Sequence, residues 1–278
     1  MSSQSVKRVT RRRSVVSSII LPSLIVSLLA VFIILPLFQT LLLSFTSTLP
    51  RSGIIEGELS LINYVNLFRS DALRDSLFNS LIYVMLNIAL CLIAGLPAAY
   101  AFSRYRFVGD RHFLLALLIF RVTPPVALSL PIFILFAEFN LVNSPIGIAL
   151  VHCLFNIPIA IWVLESFIST VPKEFDEMAR MDGHSLVGFF FKHLVPAIAP
   201  GIGVTVFFCF LFSWVEVVFA RILTVTAGKP ITMAINALFT FQTDMGLVTA
   251  MTVFSLVPGI IMIALVRNHI ARGFAVRV

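Results

Sequence analysis

The stretch VPKEFDEMARMDGHSLVGFFFKHLVPAIAPG, residues 171–201, is the longest polar interval between two apolar runs of this chain. Five charged side chains fall within eight residues of it, at Lys173, Glu174, Asp176, Glu177 and Arg180. Apolar or small residues recur there at helical spacing, and Pro172 suits the first turn of a helix. Gly183 is expected to end or bend that helix. The pattern predicts a short amphipathic helix, over about 172–188, that contacts something outside the lipid.

The composition is that of an integral membrane protein. The chain has 278 residues, of which 59% are hydrophobic and 12% are charged, and its mean hydropathy is +1.03. Soluble domains carry about 25% charged residues, so the composition excludes an ordinary water-soluble fold. The formal net charge is +7, but the basic residues flank apolar runs. This placement favours a role in membrane topology and gives no support to nucleic-acid binding.

Six apolar runs are each long enough to cross a hydrocarbon layer of ~30 Å, which takes about 20 helical residues. The expected spans are residues 15–43, 76–102, 112–136, 145–168, 197–223 and 247–266. A basic tail, residues 1–14, precedes the first span, and residues 15–278 are expected to form a single transmembrane domain. The sequence therefore predicts an all-α protein with six transmembrane helices.

The distribution of Lys and Arg predicts the orientation of these spans. Fourteen of the 20 basic residues lie in the N-terminal tail, in 103–111, in 171–197 or after the sixth span, and four lie in the opposite loops. Loops on the cytoplasmic side carry the excess of Lys and Arg. Both termini and the amphipathic helix are therefore expected in the cytoplasm.

The opening stretch also resembles a known loop. Its segments EMA (177–179), DG (182–183) and VP (195–196) are spaced as in the "EAA" cytoplasmic loop of ABC importer permeases. In that family the loop forms the coupling helix, which sits in a groove on the ATPase subunit. Met178 and His184 depart from the pattern, because the family usually or often has Ala there. The resemblance implies a coupling role for Glu174, Phe175, Glu177, Met178, Ala179, Asp182 and Gly183; an ordinary surface helix is the alternative.

Further segments resemble the carbohydrate-importer permeases of the maltose MalG type. The resemblance is carried by GLPAAYAFSRYRFVG (95–109), RVTPPVALSLPIF (121–133) and FSWVE (212–216), and it covers roughly residues 76–278. It implies the type I ABC importer permease fold, with a cytoplasmic coupling helix.

A narrower resemblance is to the glycerol-importing branch of that family. It lies in HCLFNIPIAIWVLESF (152–167), FSWVEVVFARILT (212–224) and VRNHIARGFA (266–275). Val215 stands where sugar permeases usually have Asn, and Arg221 stands where they have an apolar residue. The expected substrate is a small neutral polyol, glycerol first, and another carbohydrate is the alternative.

The family resemblance implies a machine of several subunits. Such a permease pairs with a second, homologous permease in the bacterial cytoplasmic (inner) membrane. Two ATPase subunits drive the pair, and a periplasmic or extracellular binding protein delivers the substrate. This chain has no Gly-rich phosphate loop ending in Lys-Ser or Lys-Thr, so ATP is expected on the partners, and no catalytic site or cofactor is expected here. An ATP-independent carrier or channel is the main alternative.

Polar residues inside the apolar runs are candidates for a substrate pathway, because a charge in the bilayer core is costly. Arg121 lies near mid-depth, and two prolines that follow it are expected to break the helix. Glu216 is the only acid in the fifth expected span, and an Arg121–Glu216 ion pair that only fixes helix packing is the alternative. His152 is expected to bond across helices. The pathway candidates are Asn87, Arg121, Asn156, Trp214, Glu216 and Arg221.

Overall fold

The computed structural model describes residues 3–46, 58–239 and 244–275, and every regular element in these ranges is a helix. A π-helical turn, Phe190–Leu194, lies between α8 and α9. The helices are α1 (Ser3–Ser44), α2 (Ile62–Arg69), α3 (Asp71–Arg104), α4 (Asp110–Val122), α5 (Pro125–Glu138), α6 (Pro145–Ile168), α7 (Glu174–Met181), α8 (Leu186–Phe189), α9 (Val195–Ala197), α10 (Ala199–Val215), α11 (Val218–Leu223), α12 (Ile231–Leu238) and α13 (Met245–Ala275).

Four helical segments in the described part of the chain are long and apolar enough to cross a membrane. They are Pro22–Ser44 of α1, all of α3, all of α6 and Met245–Arg267 of α13. The pair Leu186–Ala197 and Ala199–Val215 is a fifth candidate, although the two helices are bent by 80°. The all-α membrane fold is therefore confirmed, and the described helices supply four continuous apolar spans, or five if the bent pair forms one span.

The third expected span differs from the prediction of one continuous helix over 112–136. It is divided into α4, of 13 residues, and α5, of 14 residues. Pro124 has an extended backbone, with ψ 126°, and it has no N–H to continue the helix. Because the residue before a proline avoids helical geometry, α4 ends before this point. Neither α4 nor α5 alone has the length of about 20 residues that a membrane span needs.

The chain divides into two compact units. The first consists of Met1–Asn66 and Phe241–Val253. In this unit the Nδ2 of Asn63 donates to the carbonyls of Ser44 (3.1 Å) and Thr46 (2.8 Å), and so satisfies carbonyls at the end of α1. The apolar side chains of the preceding turns are exposed, as expected for a surface that meets lipid or another apolar helix.

The second unit consists of Leu67–Thr240 and Phe254–Val278, and its core lies between α3, α6 and α10. One buried cluster contains Ala99, Ile161, Leu164, Ile168, Leu194 and Ile198. A close approach of α10 to α6 requires a glycine: a Cβ on Gly201 would lie 2.5 Å from Cγ of Phe167. The three helices therefore form a closely packed bundle that fixes the positions of the polar groups on them.

A segment without regular structure, residues 224–230, is held on the N-terminal part of α3. The hydroxyl of Tyr83 donates to the carbonyl of Gly228, and the N–H of Ile231 donates to Oγ of Ser80 at 2.8 Å. The Oδ1 of Asn143, a residue with φ 59°, accepts the N–H of Thr226 at 3.0 Å. Along α3 this anchor lies about 36 Å from Arg104, at 1.5 Å per residue.

Candidate functional site

The expected amphipathic helix is present as α7, but it is shorter than the 172–188 predicted from the sequence. Its last residue is Met181, and Gly183, two residues further on, has a φ of +77°. The N–H groups of Gly183 and His184 donate to carbonyls of the last turn, at 3.0 and 3.1 Å, in the Schellman arrangement. Since a left-handed φ is costly for residues with a Cβ, the glycine ends the helix as predicted and starts a new direction.

The helix α7 is fixed to the C-terminal end of α3 by a buried ion pair. The Nε of Arg104 donates to Oδ2 of Asp176 at 2.9 Å, and Nη2 donates to Oδ1 at 3.2 Å. The hydroxyl of Tyr100 donates to the same Oδ2 at 2.9 Å, and Nη2 of Arg104 also reaches the carbonyl of Val171 at 3.0 Å. The side chains of Arg104 and Asp176 are only 7% and 9% exposed. Such a bidentate contact fixes orientation as well as distance.

Sequence reasoning did not select Asp176, although a local signal existed. Asp176 precedes the small residue Ala179 by three positions, and residues at that spacing share a helix face. Both are buried, at 7% and 6% exposure. A carboxylate on the buried face of a short helix needs a cationic partner, and Arg104 at the end of a predicted span supplies it.

The residues expected to contact an ATPase fall into two groups. Ala179 is buried, and Phe175 is half-buried against the rings of Phe189 and His193, at 6.1 and 6.3 Å between centroids. Met178 is 51% exposed. The other members of the predicted set on the solvent side are Glu174, Glu177, Asp182 and Gly183. The face that α7 offers to a partner therefore combines carboxylates with a methionine, whereas Phe175 packs within this chain.

Arg180 adds a positive charge to the exposed surface of α7. A hydrogen bond with Tyr105 is the largest cause that raises the pKa of Arg180 above its ordinary value. The guanidinium therefore stays charged at every pH that the protein meets, and the surface offers charges of both signs to a partner.

Two of the predicted pathway residues, Asn87 and Asn156, lie fully buried between helices. The Nδ2 of Asn156 donates to Oδ1 of Asn87 at 2.7 Å and to Oγ of Ser213 at 3.1 Å. The Ser213 hydroxyl donates to the same Oδ1 at 3.0 Å, and Nδ2 of Asn87 donates to the Ala149 carbonyl at 3.1 Å. Both Asn side chains are 0% exposed. This placement joins α3, α6 and α10, and the pathway role expected for the two amides stays a prediction.

The alternative ion pair between Arg121 and Glu216 is absent. The Nη1 of Arg121 donates to the Phe155 carbonyl at 2.8 Å, and its Cζ lies 5.4 Å from the ring centroid of Phe212. Arg121 is half-buried at the end of α4. A guanidinium over an aromatic face gains a cation–π contact, so this cation is stabilised without a carboxylate.

Glu216 instead satisfies the start of α11. Its Oε1 accepts the Phe219 N–H at 2.8 Å, and its Oε2 accepts the Ala220 N–H at 3.1 Å. The Nε2 of His152 lies 3.4 Å from Oε2, so the expectation that His152 bonds across helices is met. Glu216 is 9% exposed. A carboxylate at the N-terminus of a helix accepts hydrogen bonds from N–H groups that have no partner within the helix, and its negative charge interacts favourably with the helix dipole.

The last two pathway candidates differ in exposure. Trp214 is 8% exposed; its indole N–H donates to the Ser255 carbonyl at 3.1 Å, and its ring stacks on Phe210. Its face is therefore occupied by the protein. Arg221, by contrast, is exposed. Of the six candidates, only Arg121 and Arg221 present a cationic group that a molecule outside this chain can reach.

The described residues contain no group of three or more His, Cys, Asp or Glu that could hold a metal ion. The three cysteines, Cys91, Cys153 and Cys209, are free and buried, as their apolar surroundings in the sequence suggested. Long apolar helices, with a short amphipathic helix fixed to the end of one of them, are typical of a subunit that is embedded in a membrane. Residues 91–274 match the family described as binding-protein-dependent transport system inner membrane component, and the chain belongs to this family.

Proteins similar to this chain include several bacterial transport permeases. The chain is 28% identical over 232 residues to the trehalose transport system permease protein SugB of Mycobacterium tuberculosis, covering 82% of this chain and 85% of that protein. It is 32% identical over 162 residues to the sulfoquinovosyl glycerol transport system permease protein SmoH of Agrobacterium fabrum, covering 58% and 56%. It is 25% identical to the Escherichia coli inner membrane ABC transporter permease protein YcjP, covering 88% and 91%.

The fold is that of ABC importer permeases. A chain in the crystal structure of a bacterial ABC transporter involved in the import of the acidic polysaccharide alginate superposes with a TM-score of 0.71. The match covers 90% of this chain and 95% of the other, at 22% sequence identity. The expected fold class is therefore confirmed, although its third expected span is broken.

Proposed function

We propose that this chain is the permease subunit of an ATP-driven importer for a carbohydrate or a small polyol, and that α7 is its coupling helix. The observation that carries the proposal is the position of α7: it offers Glu174, Glu177 and Met178 to a partner while its other face is joined to α3 by the Arg104–Asp176 pair. A push on α7 is therefore delivered directly to the end of a transmembrane helix.

The proposed machine contains a second, homologous permease, two ATPase subunits that bind the ATP, and an external binding protein. The description of the family, a component of a binding-protein-dependent system in the inner membrane, supports this set of partners. The excess of Lys and Arg near α7 supports a cytoplasmic location for this helix and for both termini. The chain itself would carry no catalytic site.

The substrate class is supported by the relatives, whose names include trehalose, sulfoquinovosyl glycerol and diacetylchitobiose transport. Within this class we propose a small neutral polyol, glycerol first, on the resemblance of 152–167 and 212–224 to glycerol importers. Arg121 is the residue best placed to contact it, because it lies half-buried at the break between α4 and α5 and offers several N–H donors.

The coupling role is tested by substituting an exposed residue of α7. Met178→Asp should leave the permease folded and lower its association with the ATPase by about tenfold or more, because a charge replaces an apolar contact. Val108→Asp is the control, since Val108 is a fully exposed apolar residue in a different turn. Pull-down of the ATPase and uptake in vesicles are the measurements. Unchanged association with Met178→Asp would show that α7 does not bind the ATPase.

The orientation is tested by cysteine labelling with an impermeant thiol reagent. Ala227→Cys should react from outside the cell and Ser185→Cys should react only after permeabilisation. The native cysteines are buried and give a low background. Ser52, another expected external position, lies outside the described residues. Reversed labelling would contradict the cytoplasmic location of α7.

The substrate is tested on the binding protein. Its melting temperature should rise with the transported solute, and a panel of glycerol, other polyols, trehalose and larger saccharides separates the classes. For the permease, Arg121→Gln should lower uptake at limiting substrate while the complex still assembles. If only disaccharides raise the melting temperature of the binding protein, glycerol is excluded, but the proposal of a carbohydrate importer still holds.

A further inference from the structure

A cleft of about 970 Å³ lies beside the start of α7, and apart from Arg104 its lining contains none of the residues used above for coupling or for the pathway. It is formed by the turn that follows α3 and by the residues that join α6 to α7. Its polar lining includes Arg106, Asp110, His112, Glu165, Ser169 and Lys173. One wall is Arg104, whose position is fixed by Asp176. The cleft is thus built on a rigid part of the fold.

The lining combines cations with hydroxyl and carboxylate groups. Arg106 and Lys173 are both exposed. The Oγ of Ser169 donates to Oε1 of Glu165 at 2.9 Å, and the hydroxyls of Ser103 and Ser169 are 2.8 Å apart. Cations of this kind bind a phosphate, and the carboxylate and hydroxyls accept or donate hydrogen bonds to alcohol groups.

The cleft lies at the ends of two helices that are long enough to cross a membrane. The helices α3 and α6, both long enough to span a bilayer, end at its rim, at Arg104 and Ile168. Phe107, which lines the cleft, and Phe113, which stacks on the lining residue Phe102, are 44% and 57% exposed. The acyl chains of a lipid would cover these rings and remove their apolar surface from water. Basic pockets between transmembrane helices bind anionic headgroups in this way.

We propose that this cleft binds the glycerophosphate headgroup of a membrane phospholipid, such as phosphatidylglycerol. Arg106 and Lys173 contact the phosphate, and Glu165 and Ser169 bind the hydroxyls of the headgroup glycerol. Because Lys173 immediately precedes α7, the bound lipid fixes the point from which α7 leaves the membrane surface. The site does not depend on which solute is imported or on whether α7 binds an ATPase.

The assembled complex, purified in detergent, is titrated with short-chain phosphatidylglycerol, with phosphatidylcholine and with free glycerol 3-phosphate, and its melting temperature is measured. Phosphatidylglycerol should raise the melting temperature more than the other two do. Arg106→Gln combined with Lys173→Gln should remove most of this difference. Lys192→Gln is the matched control, because Lys192 is an exposed cation of the same unit that does not line the cleft.

An equal loss with Lys192→Gln, or a full rise in the double variant, would overturn the proposal. An equal rise with glycerol 3-phosphate would show that the cleft takes a free phosphoester and would overturn its assignment to lipid. A photoactivatable phosphatidylglycerol tests the unsubstituted protein, so it does not depend on folding of a variant. It should cross-link within 103–113 or 165–173, and labelling only elsewhere would exclude the site.

Discussion

Two buried carboxylates, Asp176 and Glu216, are 7% and 9% exposed, yet the structure uses them differently. Asp176 accepts hydrogen bonds from a permanently charged guanidinium and a phenol, both on another helix. The Glu216 carboxylate accepts from backbone N–H groups three and four residues further along the chain, and His152 is its long-range partner. The first carboxylate joins two distant elements, whereas the second completes a local break between α10 and α11.

The difference shows what a buried charge can fix. The Arg104–Asp176 pair connects residues 72 positions apart in sequence, so it determines where α7 lies relative to α3. The contacts of Glu216 with α11 determine only how that helix begins. Removing the carboxylate should therefore have different effects at the two sites. The loss of stability should differ in size, and a different property of the transporter should be affected.

The largest effect is expected for Asp176→Ala. It leaves the guanidinium of Arg104 buried without its partner, which costs about 3–5 kcal/mol of the free energy of unfolding. Replacing both residues by leucine should cost much less than the sum of the single changes, because no unpaired charge remains. Denaturant unfolding in detergent measures this cycle on four proteins: the unsubstituted chain, Asp176→Leu, Arg104→Leu and the double leucine variant. Additive losses would show that the two side chains do not act as a pair.

A smaller loss is expected for Glu216→Ala. It removes two hydrogen bonds to backbone N–H groups at a helix start, which costs about 2 kcal/mol. Glu216→Gln keeps one oxygen acceptor, so its loss in the free energy of unfolding should be about half as large. Uptake should be unchanged once the complex has assembled. Thermal unfolding and vesicle uptake at limiting substrate measure the two properties. A stable Glu216→Gln complex with low uptake would return Glu216 to the substrate pathway.

The end of α7 should be less sensitive still. Gly183→Ala places a Cβ at φ +77° and costs about 1–2 kcal/mol, although no neighbour lies within 4 Å of the new atom. Gly183→Asn is the control, because asparagine tolerates this conformation, so its loss should be smaller. If alanine and asparagine destabilise the protein equally, the backbone conformation is not the cause. Coupled ATP hydrolysis should fall in the same order as stability.

The smallest effect is expected at the exposed ion pair of Arg74 and Asp71, which is 2.7 Å long but 46% and 81% exposed. Asp71→Asn should change the free energy of unfolding by less than about 0.5 kcal/mol, and added salt should reduce the difference further. The same unfolding assay applied to this variant calibrates the two buried sites. If Asp71→Asn lowers the free energy of unfolding as much as Asp176→Ala does, burial does not explain the large effect expected at Asp176.

Features that depend on neighbours in sequence were predictable. The span 145–168 has the bounds that were expected, since its apolar run is continuous and a proline begins it. Gly183 ends α7, and a proline break follows Arg121, because both effects act over one or two residues. The length of α7 was overestimated, since the same amphipathic pattern continues past the glycine into α8.

Features that depend on how helices face one another could not be predicted. Counting residues gives the depth of Arg121 and Glu216 in the membrane, but not the direction in which each side chain points. The sequence therefore left an Arg121–Glu216 ion pair open as an alternative, whereas Arg121 lies over Phe212 and Glu216 caps α11. The sequence likewise did not predict that Asn87 and Asn156 bond to each other within the bundle. Their role in a substrate pathway stays a prediction.

The segment 224–230, which lacks regular structure, has a thermodynamic consequence for recognition. Side chains of Ser80, Tyr83 and Asn143 hold its backbone, so its conformational entropy is already lost in the folded chain. A soluble protein that docks against this end of α3 would meet a preformed surface and would not have to order it. Its affinity would then depend on how well the two surfaces complement each other. Its association rate would be set by diffusion and charge, because no loop has to become ordered first.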